Sequence, residues 1–236
     1  MPPNEAGSEL KKFTGHQYDD VGRIYTFSDG SKYYSVTTAI GCMADKTALI
    51  NWQKRIGKAE ADRQSEYAST IGTAMHKCLE DYLNGKSPVY PNSVVENLAN
   101  QIIPYLDNNI EQVARTEMVL YSDTLKIAGT ADCICMYKIN NTPRIVILDF
   151  KTSKKLKRSE WLQDYYIQLA LYSMMLEETY HIKTNIGVLL FAYKEMRHPK
   201  REFTTILDGY KKQAINKIIS FHKKIKRYKK SVDMIL

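Results

Sequence analysis

Asp149 and Lys151 stand two residues apart in Asp149-Phe150-Lys151-Thr152-Ser153, at the end of the apolar run Ile145-Val146-Ile147-Leu148. On a strand side chains alternate between faces, so Asp149 and Lys151 project together with Ile145 and Ile147. A carboxylate and an ammonium ending a buried strand are costly unless they pair or bind a charge. Alone, the pair reads equally well as an ordinary ion pair. A second acid, Asp132, lies 17 residues upstream within Ile127–Met136, which also reads as a strand. The intervening Tyr137–Pro143 is rich in turn formers, as a hairpin loop would be. Folding there lays the strands antiparallel and brings both carboxylates within reach of one ion. Two close carboxylates repel unless a proton or cation lies between them. Oxygen ligands with room for water and phosphate suit magnesium or manganese.

Two helical segments carry further candidates. From about Glu66 to Asn84, Ile71, Met75, Cys78, Leu79 and Tyr82 form one apolar stripe. His76 borders it, with Gly72 one turn before and Glu80 one turn after. A lone helical histidine is usually a core or surface residue. Gly72 changes the weighing, because a mid-helix glycine costs about 1 kcal/mol relative to alanine and lets a ligand or backbone approach. In Gln163–Met175, Ile167, Leu171, Met174 and Met175 make the buried stripe, while Gln168 and Tyr172 share a face at i, i+4. Taken separately, that pair is an amphipathic boundary.

The order Gly72-x-x-x-His76, Gly129-Thr130-Ala131-Asp132, Asp149-Phe150-Lys151-Thr152-Ser153 and Gln168-x-x-x-Tyr172 resembles RecB-type nucleases of the PD-(D/E)XK superfamily. Within it, the chain is most similar to the mitochondrial genome maintenance exonuclease group and related phage and bacterial exonucleases. Ser35-Val36-Thr37 and Trp52 also resemble that group's opening, and the likeness covers roughly Tyr34 to Met175. It implies that His76, Asp132 and Asp149 hold a catalytic Mg²⁺ or Mn²⁺ with the Phe150 carbonyl as a further ligand. Lys151 would orient the attacking water and stabilise the developing charge. Gln168 and Tyr172 would hold the active-site helix and contact the DNA backbone. Glu117, in phase with Val119 and Tyr121 in Thr116–Tyr121, matches an acid that many relatives carry on the first core strand, and ranks as a second-metal or outer-shell residue.

The composition agrees with a nucleic-acid partner. The chain has 34 basic and 26 acidic residues, a net +8, and Lys211–Lys230 holds nine basic residues and no acid. That stretch reads as a C-terminal helix packed by Ile215, Ile218, Ile219 and Ile225. Its lysines are a solvated face or, beside a nuclease core, phosphate contacts. Thr152, Ser153, Lys154 and Lys155, with Lys157 and Arg158, directly follow the acidic strand and are better placed for the backbone. Tyr33, Tyr34, Tyr67, Tyr165 and Tyr166 are candidates for stacking on unpaired bases; the ordinary reading is that tyrosines straddle core and surface.

Cys42, Cys78, Cys133 and Cys135 match no zinc spacing and read as packing residues. Some RecB-like nucleases hold an iron–sulfur cluster on one cysteine before the histidine motif and three after the Gln-x-x-x-Tyr motif. No cysteine follows Cys135, so no iron–sulfur cluster is expected. The absence of a bilayer-length apolar run, signal pattern or arginine-rich transit sequence points to the cytoplasm, the host's if phage-encoded.

Residues 1–22 read as a loose N-terminal segment and 23–236 as one domain including the basic C-terminal helix. Within it the order is a hairpin around Asp29-Gly30, helices at about Asp45–Arg63, Glu66–Asn84 and Ser93–Ala114, three core strands and the Gln168 helix. Strands at about Asn185–Tyr193 and Arg201–Leu207 and the last helix follow. This is an α/β arrangement, a central mixed β-sheet flanked by helices; the resemblance implies a restriction-endonuclease-like core. Three readings stay open: a metal-dependent exonuclease on single-stranded DNA or DNA ends, a duplex-end exonuclease or structure-specific endonuclease, and a catalytically silent DNA-binding module. Protein partners are not indicated.

Overall fold

Asn140 and Asn141 take the left-handed backbone, with φ of 50° and 60°, which asparagine tolerates and a two-residue hairpin turn requires. They join β5 (Ile127–Ile139) to β6 (Thr142–Ser153), antiparallel in a register running from Ile139↔Thr142 to Cys133↔Leu148. The computed structural model describes residues 10–154, 162–194 and 200–233. In it this hairpin forms the centre of an eight-stranded mixed sheet. Antiparallel β4 (Ile110–Ser122) lies along one edge of β5. Beyond β6 come β7 (Ile186–Tyr193), parallel to it, and antiparallel β8 (Glu202–Ile206).

The other edge of β5 is shared. The hairpin β2 (Arg23–Phe27) and β3 (Lys32–Ser35) brings β3 parallel to β5 at Tyr34↔Ile127 and Ser35↔Ala128. On the same edge β6 begins its pairing only at Cys133. Among the described residues no strand pairs with this edge of β5 over positions 129–132, so the sheet has a gap there. One strand differs from expectation. Phe13–Tyr18, assigned above to a loose N-terminal segment, is β1, paired with β2 from Phe13↔Phe27 to Tyr18↔Arg23. Its anchor is aromatic: the Phe13 ring lies 5.4 Å from that of Tyr25 and 6.3 Å from that of Phe27.

Helices cover both faces. The face carrying Ile134, Ile147 and Leu189 packs against α1 (Val36–Met43), α5 (Gln163–Tyr180) and α6 (Asp208–Asp233). The face carrying Cys133, Val146 and Leu148 packs against α3 (Lys58–Leu83) and α4 (Ser93–Asn109). The helix expected at Asp45–Arg63 is divided by Gly57, at φ 85°, into α2 (Thr47–Ile56) and the start of α3, which continues unbroken through His76. The helix α4 stops at Asn109 instead of Ala114, because Ile110 and Val113 pair with Tyr137 and Cys135 of β5. Strand pairing overrides local helix preference there.

The expected one-sided stripe on α5 is too narrow. Residues 166–173 are all buried, since the helix lies between the sheet on one side and α1 and α6 on the other, and a helix enclosed in this way has no polar face. On α6 the buried anchors are Ala214, Ile218 and Phe221; Ile215 and Ile225 are partly buried and Ile219 is exposed. No helix among the described residues is long and apolar enough to cross a membrane. Phe221 is fully buried and its ring meets Tyr34 edge-on at 5.4 Å. Phe221→Ala is therefore expected to destabilise the protein by about 3–5 kcal/mol. An unchanged urea midpoint would show that α6 is an appendage instead of part of the core.

Candidate active site

The gap along β5 opens into a cleft of about 420 Å³. The last residues before β5 meets β6 supply Thr130 and Asp132, and β6 supplies Asp149 and Lys151. From one face α3 brings Gly72, Thr73, His76, Lys77 and Glu80; from the other α5 brings Gln168 and Tyr172. Ser35 caps α1, its hydroxyl accepting from the Thr38 N–H at 3.0 Å, and this turn sets Thr37 and the neighbouring Arg23 at the cleft mouth. The Ser-Val-Thr sequence thus acts as a strand-to-helix junction.

Asp132 and Asp149 sit where the hairpin strands part. The Phe150 N–H donates to Asp132 Oδ2 at 2.7 Å, and His76 Nδ1 lies 3.4 Å from the same oxygen. Gln168 Nε2 donates to Asp149 Oδ1 at 2.9 Å and to the Tyr172 hydroxyl at 3.2 Å. Lys151 Nζ is 2.5 Å from Asp149 Oδ2. That contact is a tight ion pair, and the Lys151 ammonium is the group that meets the buried Asp149 Oδ2. Tyr172 stacks over Gly129, where a Cβ would fall 2.7 Å from the ring. The glycine is needed for that approach. At Gly72, in contrast, a Cβ would meet only Thr152 Oγ1 at 3.7 Å; the space it leaves belongs to the cleft, with no backbone packed there.

Burial and mutual repulsion set the charge states. Burial opposes ionisation of Asp132, yet the adjacent His76, Lys151 and the Phe150 N–H outweigh it and hold the carboxyl below its usual range. For Asp149, burial prevails over Lys151, and with Asp132 nearby its proton affinity rises. Burial would lower the proton affinities of His76 and Lys151, but the carboxylates beside each raise them. Glu117 is exposed as a residue, yet loss of water around its carboxyl, and then the charge of Asp132, push it up to about 7. Its backbone is also unusual. Thr116↔Cys133 and Met118↔Ala131 bracket it opposite Asp132, and it takes φ 45° in mid-strand, a conformation that costs a non-glycine residue of order 1–2 kcal/mol.

One nitrogen or oxygen from each of His76, Glu117 and Asp132 lies within 4.8 Å of the others. The cluster takes in Glu117, ranked from sequence as a second-metal or outer-shell residue, and leaves Asp149 beside it, held by Gln168 and Lys151. A hard divalent cation fits these residues. It would find carboxylate oxygens and one imidazole, and two acids, Asp149 and Glu117, whose proton affinity is raised by burial and by the neighbouring charge of Asp132.

Thr152, Ser153 and Lys154 lie beyond Lys151 in an adjoining groove; Lys155, Lys157 and Arg158 lie outside the described residues. Of the five tyrosines singled out, only Tyr67 exposes much of its ring. Tyr33 donates to Asp123 and Tyr34 to Asp19, Tyr166 packs on Tyr210, and the Tyr165 ring lies 5.4 Å from Lys151 Nζ. Sequence reasoning missed Arg23, Thr73 and Lys77. Thr73 stands one turn before His76 and helical spacing would have found it; Arg23 comes from a distant hairpin and carried no local signal.

A sequence profile of the PD-(D/E)XK nuclease superfamily matches residues 105–232. Among solved structures, a protein from Eubacterium rectale named as an exonuclease is similar at 14% identity and a TM-score of 0.45, with 68% of each chain covered. No curated protein matches.

Because protons and a cation compete for the same carboxylates, binding of Mg²⁺ or Mn²⁺ is expected to release protons. Affinity should fall as the pH drops through about 7, where Glu117 takes up its proton. Calorimetric titration in buffers of differing ionisation enthalpy measures both, and pH-independent affinity between pH 6 and 8 would remove Glu117 from the ligands.

Proposed function

This chain belongs to the PD-(D/E)XK nuclease superfamily, and from that membership we propose that it is a Mg²⁺- or Mn²⁺-dependent deoxyribonuclease. Its reaction is exonucleolytic hydrolysis of phosphodiester bonds in single-stranded DNA or at DNA ends, in replication, repair or recombination. The supporting observation is the joint burial of Asp132 and Asp149 at the gap in the sheet, with the partly buried Lys151 against Asp149 and with His76 and Glu117 closing over Asp132. The preference for single strands and ends rests on the likeness of the motifs to the exonuclease group. Residues 23–236 form one nuclease domain, to which β1 adds an edge strand.

In this reading His76, Glu117, Asp132 and Asp149, with the Phe150 carbonyl, hold the cation. When bound, the ion neutralises the phosphate and lowers the pKa of water for in-line attack. Asp132 and Asp149 are oriented before it arrives, the first by the Phe150 N–H and the second by Gln168. Lys151 keeps its proton because two carboxylates flank it, so it stabilises negative charge building on the phosphoryl oxygens and is no general base. Gln168 acts through Asp149, and the Tyr172 hydroxyl accepts its second N–H. Tyr172 is buried against Gly129 and supports the helix more than it contacts the strand. Thr152, Ser153, Lys154 and Lys155 receive the DNA backbone on leaving the site.

Asp149→Ala and Lys151→Ala are each expected to abolish metal-dependent DNA cleavage while circular dichroism and the melting temperature stay near wild type. A purified variant of either kind cleaving at the wild-type rate would overturn the assignment. His76→Ala should raise the magnesium concentration needed for half-maximal activity, and an unshifted titration would take His76 out of the ligand set. Linear single strands should be degraded while closed circles persist; cleavage of circles would make the enzyme an endonuclease.

A further inference from the structure

A second cleft, of about 630 Å³, adjoins the first and has the opposite character. Trp52 of α2, Arg63 and Tyr67 of α3, Thr152 and Lys154 at the end of β6, and Lys194 just past β7 line it. Among the lining residues are three cations, two aromatic rings and no carboxylate, whereas the catalytic cleft holds Glu80, Glu117, Asp132 and Asp149. The Tyr67 side chain is half exposed, with Lys194 Nζ 4.5 Å from its ring centroid. The Arg63 guanidinium pairs with Glu60 at the rim while its side chain stays 75% exposed. The floor is fixed, since the Lys194 N–H donates to the Ser153 carbonyl at 3.0 Å.

The two clefts come close to each other between α3 and β6. Gly72 lines the catalytic one and Thr152 the other, and a Cβ on Gly72 would lie only 3.7 Å from Thr152 Oγ1. Along β6, Lys151 opens into the first cleft and Thr152 to Lys154 into the second. A chain whose reacting phosphate meets Lys151 would reach Tyr67 by passing between Gly72 and Thr152. From Gly72 back to Arg63 the helix rises about 13 Å, room for three or four stacked nucleotides at ~3.4 Å each.

We propose that this groove is the track for a single strand of DNA, its unpaired bases stacking on Tyr67 and Trp52 and its phosphates lying against Lys154, Lys194 and Arg63. The proposal rests on the nuclease reading above and adds to it the strand type and the residues that select it. Aromatic faces beside a basic floor bind unpaired strands because every base has a π-face and every linkage a charge. A duplex keeps its bases stacked on one another, so the rings would gain nothing from it. Lys194 reaches both the Tyr67 ring and the phosphate next to a base stacked there, giving the groove its direction-independent grip on the backbone.

The test is Tyr67→Ala in the full chain, assayed with magnesium or manganese on oligothymidylates longer than about ten nucleotides, well beyond the groove's span. KM is expected to rise about tenfold, the scale of one lost base–aromatic stack, with kcat little changed and Tyr67→Phe close to wild type. On a dinucleotide, too short to reach Tyr67, and on a blunt duplex, variant and wild type should share one KM. An unchanged KM on the long single strand, or an equal rise on the blunt duplex, overturns the groove while leaving the nuclease reading standing. If the wild type cleaves no DNA with either metal, the nuclease reading fails by itself. The groove is then decided by fluorescence anisotropy with the same labelled oligothymidylate: weaker binding by Tyr67→Ala supports it and equal binding overturns it.

Discussion

Asp132 and Asp149 are both buried, next to each other, at the gap where β5 and β6 of the central sheet separate. Burying one carboxylate costs several kcal/mol even after relaxation, and burying two side by side adds their repulsion. The protein offsets this unevenly. Asp132 receives a backbone N–H and a nearby imidazole and is held ionised; Asp149 receives Gln168 and Lys151, yet burial still raises its proton affinity. Glu117 joins them on a strained residue and with a raised proton affinity. The surrounding fold holds these carboxyl groups together, and a divalent cation among them would offset their mutual repulsion.

That holding depends on how the sheet and α5 are built. Were β6 to pair with β5 along its whole length, positions 129–132 would be sealed and no cleft would exist. Instead β6 turns toward β7, pairing Asp149↔Leu189 and Lys151↔Phe191, while β3 takes the far end of β5 at Ile127 and Ala128. The enclosed helix α5 fills the space behind. Its Gln168 donates to Asp149 while Tyr172 packs closely against Gly129, and its buried neighbours Ile167, Leu169 and Leu171 fix the helix against the sheet. Small residues around the acids (Gly129, Ala131, Gly72) have distinct purposes: one admits a ring, one fits beneath α5, and one leaves open space.

The strands and the Asp132–Asp149 hairpin were legible because alternation, turn-forming asparagines and an apolar run ending in charge all pointed the same way. His76 and Gln168 were found through spacing and family likeness; nothing local distinguishes them from core or boundary residues. What escaped was set by tertiary context. The first strand, Phe13–Tyr18, has little apolar content of its own and is ordered by ring contacts with β2. The start of β4 at Ile110 carries a helix-compatible sequence and is claimed by β5. The α5 stripe was drawn too narrow because a sequence does not say that a second layer of helices covers its outer face. Glu117 was placed toward the cleft by strand alternation and family likeness, but its positive φ in mid-strand is announced by no residue type.

The distribution of charge closes the argument about how an acidic centre meets an acidic polymer. Carboxylates that attract a cation also repel phosphate, so the chain must be drawn in by positive surface elsewhere and delivered to the centre along it. The obvious source, α6, is partly committed to the protein itself: Lys217 pairs with Asp164, Lys224 donates to the Cys42 carbonyl at 2.8 Å, and Lys229 lies 5.6 Å from the Tyr34 ring centroid. It also packs on the outer side of α1 and α5, a layer away from the gap in the sheet. Arg63, Lys154 and Lys194 are fewer, but they stand in a groove whose lining residues include no acid and begin on β6 at Thr152, the residue after Lys151. Position, more than the size of the basic run, decides which cations can steer a strand toward the acids.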